Sequence, residues 1–203
     1  DLTKSGTIEY LFTDPLSTSV TLTFRTRLVT FDMLYVNANV NLPNTAYLYG
    51  DGIRDTVQSS TVNKTVRSQM IAKDISTAYN YQTRKITWRL VINRNQLVQN
   101  NVVITDLIPA GLTLLPGTLT LSTLDAYSFT PTLYPVSDLT SRDAFTLSFP
   151  GVLDHQVTVT FQTEVKEGIL LVNGNKTFTN NVVYSSDEIP NLSASASQIV
   201  NNT

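Results

Sequence analysis

The sequence predicts an all-β protein, with one complete unit preceded by the C-terminal half of another. Three observations carry this reading. Thr, Val, Leu, Asn and Ser dominate, whereas the Glu, Lys and Ala that fill surface helices are sparse. Apolar and polar residues alternate with a period of two, which turns one face of a strand inward. A long segment of the chain also recurs with little change further on.

Along the chain, Val20, Leu22 and Phe24 alternate with Thr21, Thr23 and Arg25. Ile86, Trp88, Leu90 and Ile92 form a second such set, which requires Trp88 to be buried. Val157, Val159 and Phe161 form a third, and no convincing helical stripe is present. Pro109-Ala110-Gly111 and Pro116-Gly117 read as turns.

The repeat defines the units. Asp1-Leu2-Thr3 recurs as Asp138-Leu139-Thr140 and Val20-Thr21-Leu22-Thr23-Phe24 as Val157-Thr158-Val159-Thr160-Phe161, both displaced by 157 − 20 = 137 positions. Val36-Asn37-Ala38-Asn39 then aligns with Val172-Asn173-Gly174-Asn175, and Leu42-Pro43-Asn44 with Phe178-Thr179-Asn180, at 180 − 44 = 136. One deletion in a turn accounts for the change. Residues 67–203 are therefore expected to form one whole unit. Residues 1–66 are expected to be the C-terminal half of the unit before it, ending in a strand near Thr56 to Val62 and a short linker.

Composition excludes several functions. With 15% charged residues and a formal net charge of −2, there is no basic field to attract nucleic acid. The absence of cysteine removes disulfides, thiolate metal sites and a cysteine nucleophile together. The first residues lack the apolar stretch of a signal peptide and no run approaches the roughly 20 apolar residues that span a bilayer, so membrane insertion by this segment is not expected. A lone histidine, His155, supplies no metal cluster, no Gly-x-Ser-x-Gly elbow is present, and no spaced acidic loop suggests calcium. Neither an enzyme nor a cofactor or metal site is expected. Asn63-Lys64-Thr65, Asn175-Lys176-Thr177 and Asn191-Leu192-Ser193 match the glycosylation pattern, which arises readily by chance in such a chain. Tyr79, Tyr81, Tyr127 and Tyr134 could line a ligand groove or be half-buried strand residues.

Within the second unit, Ile71-Ala72-Lys73, Lys85-Ile86-Thr87-Trp88, Val91-Ile92-Asn93, and the run Ile104-Thr105-Asp106-Leu107-Ile108-Pro109-Ala110-Gly111-Leu112 stand in a familiar order. Phe178-Thr179-Asn180-Asn181-Val182-Val183-Tyr184 and Ser193 to Val200 complete it. This order resembles the collagen-binding-type immunoglobulin-like repeats of Gram-positive cell-wall adhesins. The resemblance implies an immunoglobulin-like β-sandwich whose sheets are joined by a spontaneous amide bond between a lysine and an asparagine, assisted by an acid. The matching residues are Lys73, Asn180 and Asp106.

That chemistry has physical requirements. A lysine amine attacks only when neutral, and burial lowers its pKa. A protonated aspartic acid in the same pocket can polarise the asparagine carbonyl and carry protons as ammonia leaves. Met70, Ile71 and Ala72 beside Lys73, and Val102, Val103 and Ile104 before Asp106, suit such a pocket. Read without the resemblance, a strand lysine is usually solvated, an aspartate before a turn usually caps amides, and an asparagine usually sits in a loop. The residues alone leave Lys85 and Lys64, Asn181, and Asp74 as alternatives. Asn44 matches Asn180 in the half-unit and could compete for Lys73, although the lysine and aspartate strands that should serve it are missing. The resemblance further implies a bacterial cell-surface location, with neighbouring repeats of the same chain as partners. The leading function is a structural stalk or adhesin repeat. The alternative is direct binding of a host matrix protein such as collagen. A carbohydrate-binding accessory module comes last, because Trp88 alone is available for stacking on sugars and it alternates with core residues.

Overall fold

A computed structural model describes residues 8–28, 31–50, 58–123 and 144–202. Ten strands dominate it: β1 (Asn39–Leu48), β2 (Gln58–Arg67), β3 (Ile71–Asn80), β4 (Lys85–Ile92), β5 (Gln99–Leu107), β6 (Leu112–Thr123), β7 (Ala144–Leu153), β8 (Val157–Val165), β9 (Gly174–Ser185) and β10 (Leu192–Asn202). One helical turn, α1, spans Glu167–Leu170, and a 3-10 turn spans Asp32–Leu34.

Strands β3 to β10 form the expected immunoglobulin-like sandwich. One antiparallel sheet has the order β3-β4-β8-β6 and the other β10-β9-β5-β7. The period-two pattern explains why these segments pair. In β8 every odd position from Val157 to Val165 is buried and every even one half-buried, and in β4 Ile86, Trp88, Leu90 and Ile92 all point inward. Trp88, Phe145, Phe161, Phe178 and Tyr184 fill the space between the sheets, with Phe145 of β7 and Phe161 of β8 meeting edge to face at 4.9 Å between centroids. Several polar groups drawn into this core are satisfied. Trp88 Nε1 donates to Thr163 Oγ1 at 2.9 Å, Tyr184 Oη donates to Gln99 Oε1 at 2.9 Å, and Asn93 Nδ2 donates to the carbonyls of Leu97 and Leu153.

Glycine is required at one turn. Gly111 closes the bend after Pro109 with φ +93°, and a Cβ there would stand 3.0 Å from the Ile169 side chain and 3.1 Å from Phe178. Pro116-Gly117, expected as a turn, instead lies inside the edge strand β6, where the pairing with β8 shifts register between Leu115 and Thr120. An edge strand tolerates proline at such a bulge, because its unpaired side needs no donor.

The first half of the chain differs from expectation in one respect. Val20, Leu22 and Phe24 alternate, yet no strand forms there and all three are about half exposed. Their counterparts in β8 are flanked by β4 and β6, and the first half supplies neither neighbour. The strand expected near Thr56 to Val62 is β2, which runs on to Arg67; residues 51–57 lie outside the described residues, as do Asp1-Leu2-Thr3 and Asp138-Leu139-Thr140. β1 and β2 form an isolated antiparallel hairpin, the same arrangement that β9 and β10 adopt within the complete sandwich. The segment leading into β1 packs on the sandwich, burying Leu34.

Candidate functional site

The sandwich brings Lys73, Asp106 and Asn180 into its sealed interior. Lys73 is the third residue of β3, on the face that also carries Ile71, and it sits opposite Leu90 of β4. Asp106 lies in β5 of the other sheet, on the face shared with Val102, Ile104 and Ile108. Its cross-strand partner in β9 is Val182, and Asn180 lies two residues from Val182. The period of two therefore puts Asp106 and Asn180 on the same inner face as diagonal neighbours. Lys73 approaches them from across the core.

The three groups are shut off from water. The side chains of Lys73 and Asp106 are fully inaccessible, Asn180 is 0% exposed, and Lys73 Nζ pairs with Asp106 Oδ2. Two aromatic rings flank the amine, Phe161 with its centroid 5.4 Å from Nζ and Trp88 at 5.7 Å. Those rings attract a cation, but they also take the place of the water that would solvate it. Burial brings the Lys73 pKa down to about 8, the nearby Asp106 carboxylate offsetting part of the effect. Burial also pushes Asp106 above the usual carboxylate range, against the opposing influence of Lys73 and Asn180. Both shifts favour the uncharged pair, an amine beside a carboxylic acid.

Asn180 stands beside Asp106, yet neither its Oδ1 nor its Nδ2 completes a hydrogen bond of acceptable geometry, and Asp106 Oδ1 is also unpartnered. Each buried polar atom left this way costs on the order of 1–3 kcal/mol.

The alternatives left open by sequence fall elsewhere. Asp74 is on the outer face, held by Arg89 in a forked ion pair with Nη2 to Oδ2 at 2.6 Å. Asn181 and Lys64 are exposed, and Lys85 is half-buried at the start of β4, on the outward parity of Thr87 and Arg89. Asn44 is exposed on the isolated hairpin. Sequence reasoning did not anticipate the rings of Trp88 and Phe161 around the amine, although both residues stand on the inward parity of their strands. Of the tyrosines, Tyr79 and Tyr81 meet edge to face at 5.0 Å, while Tyr127 and Tyr134 lie outside the described residues. His155 pairs with the adjacent Asp154. Among the described residues no group of three or more His, Cys, Asp or Glu is arranged to hold a metal ion, and no helix is long and apolar enough to cross a membrane.

A family model described as a collagen binding domain matches residues 68–195. Among solved structures, the Enterococcus faecalis MSCRAMM ACE, described as binding its ligands by the collagen Hug model, superposes with a TM-score of 0.50 at 16% identity, covering 78% of this chain and 60% of its own. The collagen-binding domain of a Staphylococcus aureus adhesin gives 0.45 at 14% identity over 64% of this chain and 99% of its own. A C-terminal fragment of the major pilin GBS80 of Streptococcus agalactiae gives 0.43 at 13% identity over 64% of this chain and 55% of its own. At such identities the likeness is one of fold. No curated protein sequence matches.

Proposed function

Because the chain belongs to the collagen binding domain family, we propose that it is a non-catalytic repeat of a Gram-positive surface adhesin whose two sheets are stapled by an amide bond between Lys73 and Asn180. In this reading residues 67–203 are the complete repeat and residues 1–66 the C-terminal half of the one before it. The single observation that supports the staple most is the buried, unpartnered carboxamide of Asn180 beside the Lys73–Asp106 pair.

The chemistry follows from the pair. Transfer of a proton from Lys73 to Asp106 leaves a neutral amine next to a carboxylic acid without changing the charge of the pocket. The Nζ lone pair attacks Cγ of Asn180 while the Asp106 acid stabilises the developing charge on Oδ1. The amine gives up a proton, Asp106 relays one to Nδ2, the Cγ–Nδ2 bond breaks and ammonia leaves. One Nζ–Cγ bond replaces one Cγ–Nδ2 bond, and no oxidant or cofactor is consumed. Asn180 is favoured over Asn44 because it is buried beside Asp106, the partner of Lys73, whereas Asn44 faces solvent.

The bond suits a stalk. It joins the first strand of one sheet to the penultimate strand of the chain in the other, so a pull on the termini cannot extend the residues between them. Single-molecule pulling tests this directly. The span of 180 − 73 = 107 residues, at about 3.4 Å per extended residue, should be missing from the contour length released on unfolding, a deficit of about 36 nm. Release of the full length would sink the staple.

A second reading, direct binding of a matrix protein such as collagen, is favoured by the family description. Binding of the chain to immobilised triple-helical collagen would support adhesion by this repeat, and its absence would leave the stalk role. A sugar-binding module is disfavoured because Trp88 is buried and offers no stacking platform.

A further inference from the structure

We infer that Leu170–Asn173 is a docking surface for another repeat of the same kind following in the same chain. The inference rests on the repeat-module reading above and is independent of the amide staple. It comes from comparing the two copies of the C-terminal half, of which one is docked on a following unit and the other is not.

Within each copy a short helical turn stands at the same place. The 3-10 turn Asp32–Leu34 precedes β1 where α1, Glu167–Leu170, precedes β9. At the observed spacing of 136, Leu34 corresponds to Leu170, Tyr35 to Leu171, Val36 to Val172 and Asn37 to Asn173. Each copy also closes on itself in the same way. Ala38 and Ser68 exchange backbone hydrogen bonds of 3.1 and 2.8 Å, and Gly174 and Asn202 are the matching pair at the end of the β9–β10 ladder. The Ser68 hydroxyl donates to the carbonyl of Leu34, just as Asn202 Nδ2 donates to that of Leu170.

The outer side of the first copy is engaged. Asn37 inserts at the edge of the sandwich between β3 and β10. Its Oδ1 accepts from the amides of Met70 at 2.7 Å and Ile71 at 3.1 Å, and its Nδ2 donates to the carbonyls of Ile71 at 2.8 Å and Ser193 at 3.4 Å. One side chain thus ties the first strand of one sheet to the last strand of the other. Asn95 Nδ2 adds a bond to the Leu34 carbonyl at 3.1 Å, Tyr35 Oη donates to the Val98 carbonyl at 3.2 Å, and Leu34 is only 8% exposed.

The apolar positions of the second copy are more open: Leu171 is 79% and Val172 67% exposed where Tyr35 and Val36 are half-buried, and Leu170 is half-buried where Leu34 is buried, while Asn37 and Asn173 are both exposed. Two adjacent apolar side chains beside an asparagine repeat a surface that is half-buried in the first copy, where Asn37 bonds to Met70, Ile71 and Ser193, and this defines the occupant as the β3–β10 edge of a like unit. Leu171 in place of Tyr35 makes that contact apolar and removes the bond to the Val98 position. Chain connectivity favours docking in cis. Only Gln69 and Met70 separate Ser68 from β3, so a unit entering after Asn202 at the same spacing would bring its own first strand to Asn173 at high effective concentration.

The test compares the 203-residue chain with a tandem chain in which residues 69–203 follow once more directly after Asn202. Amide hydrogen exchange is read on peptides covering 34–38 and 170–173. Exchange over 170–173 should slow by about ten-fold or more in the tandem chain, approaching that of 34–38. Asn173→Ala should abolish the slowing in the tandem chain and change nothing in the single one. As a control in the single chain, Asn37→Ala should speed exchange of the Met70 and Ile71 amides; if it does not, the first interface fails and the inference with it. Equal exchange over 170–173 in both chains, with 34–38 still protected, would overturn the inference while leaving the repeat reading in place. Protection of 170–173 that appears in the single chain as its concentration rises would also overturn it, in favour of self-association.

Discussion

Replacing the whole polar pocket with apolar side chains separates a cross-linked protein from one that merely buries an ion pair, because the two predict opposite signs. Consider the triple substitution Lys73→Met, Asp106→Leu and Asn180→Leu, which conserves volume approximately and leaves no buried charge or orphan amide. If the pocket holds only an ion pair, exchanging it for well-packed apolar groups is neutral or stabilising, by about 1–4 kcal/mol in comparable cases. If Lys73 and Asn180 are bonded, the triple variant loses a link closing a 107-residue loop (180 − 73). Treated as a disulfide of the same span, that link is worth about 4.7 kcal/mol of denatured-state entropy. For a unit of about 135 residues, with an unfolding entropy of about 2.1 cal/mol/K per residue, the loss corresponds to a fall in Tm of roughly 15 °C. Differential scanning calorimetry of the two chains at pH 7 reads it. A triple variant that melts at or above the parent temperature would refute the cross-link argument.

Two further predictions follow from the same geometry. Asn180→Ala removes the electrophile and keeps the Lys73–Asp106 pair, so its stability should depend on pH through Lys73. The folded pKa of about 8 lies below the ordinary 10.5, so the unfolded chain binds more protons between these values and stability should rise with pH across that window, by on the order of 3 kcal/mol. Asp106 acts in the opposite sense at the acid end, its raised pKa giving stability that is present below about 3.8 and lost as pH rises through the folded value. Denaturant titrations from pH 4 to 10.5 check both signs, and a flat profile from 8 to 10.5 would exclude a desolvated Lys73. Separately, Gly111→Ala should lower stability by about 1–3 kcal/mol, because it combines a φ of +93° with a Cβ 3.0 Å from Ile169. A melting temperature unchanged within error would show that the turn relaxes freely.

Much of this architecture is legible in the sequence, because period-two alternation is set by the pleat itself. Ile86 to Ile92 with Trp88, and Val157 to Phe161, read directly as strands with an inner face, while Phe178 to Tyr184 is read as a strand through the family resemblance. The same parity also discriminates among the site candidates. Lys73 shares a face with Ile71, Asp106 with Ile104, and Asn180 with Phe178 and Val182, whereas Asp74, Lys85 and Asn181 fall on the opposite faces. Other features depend on neighbours that a local pattern does not encode. Val20 to Phe24 has a strand sequence but no strand beside it to pair with, so its propensity is unrealised. Pro116-Gly117 has turn chemistry, but the edge position of β6 absorbs it as a bulge. Asn37 looks like a loop asparagine, and its role emerges only where β3 and β10 meet.

The intact mass of the folded, then denatured, chain tests the bond most directly. One bond between Lys73 and Asn180 predicts a mass below that of the sequence by one ammonia, a shortfall that survives denaturation and disappears in Asp106→Ala, with a proteolytic peptide joining the Lys73 and Asn180 segments. A peptide joining Lys73 to Asn44 would reassign the partner. The full sequence mass in the unmodified chain would contradict the central claim.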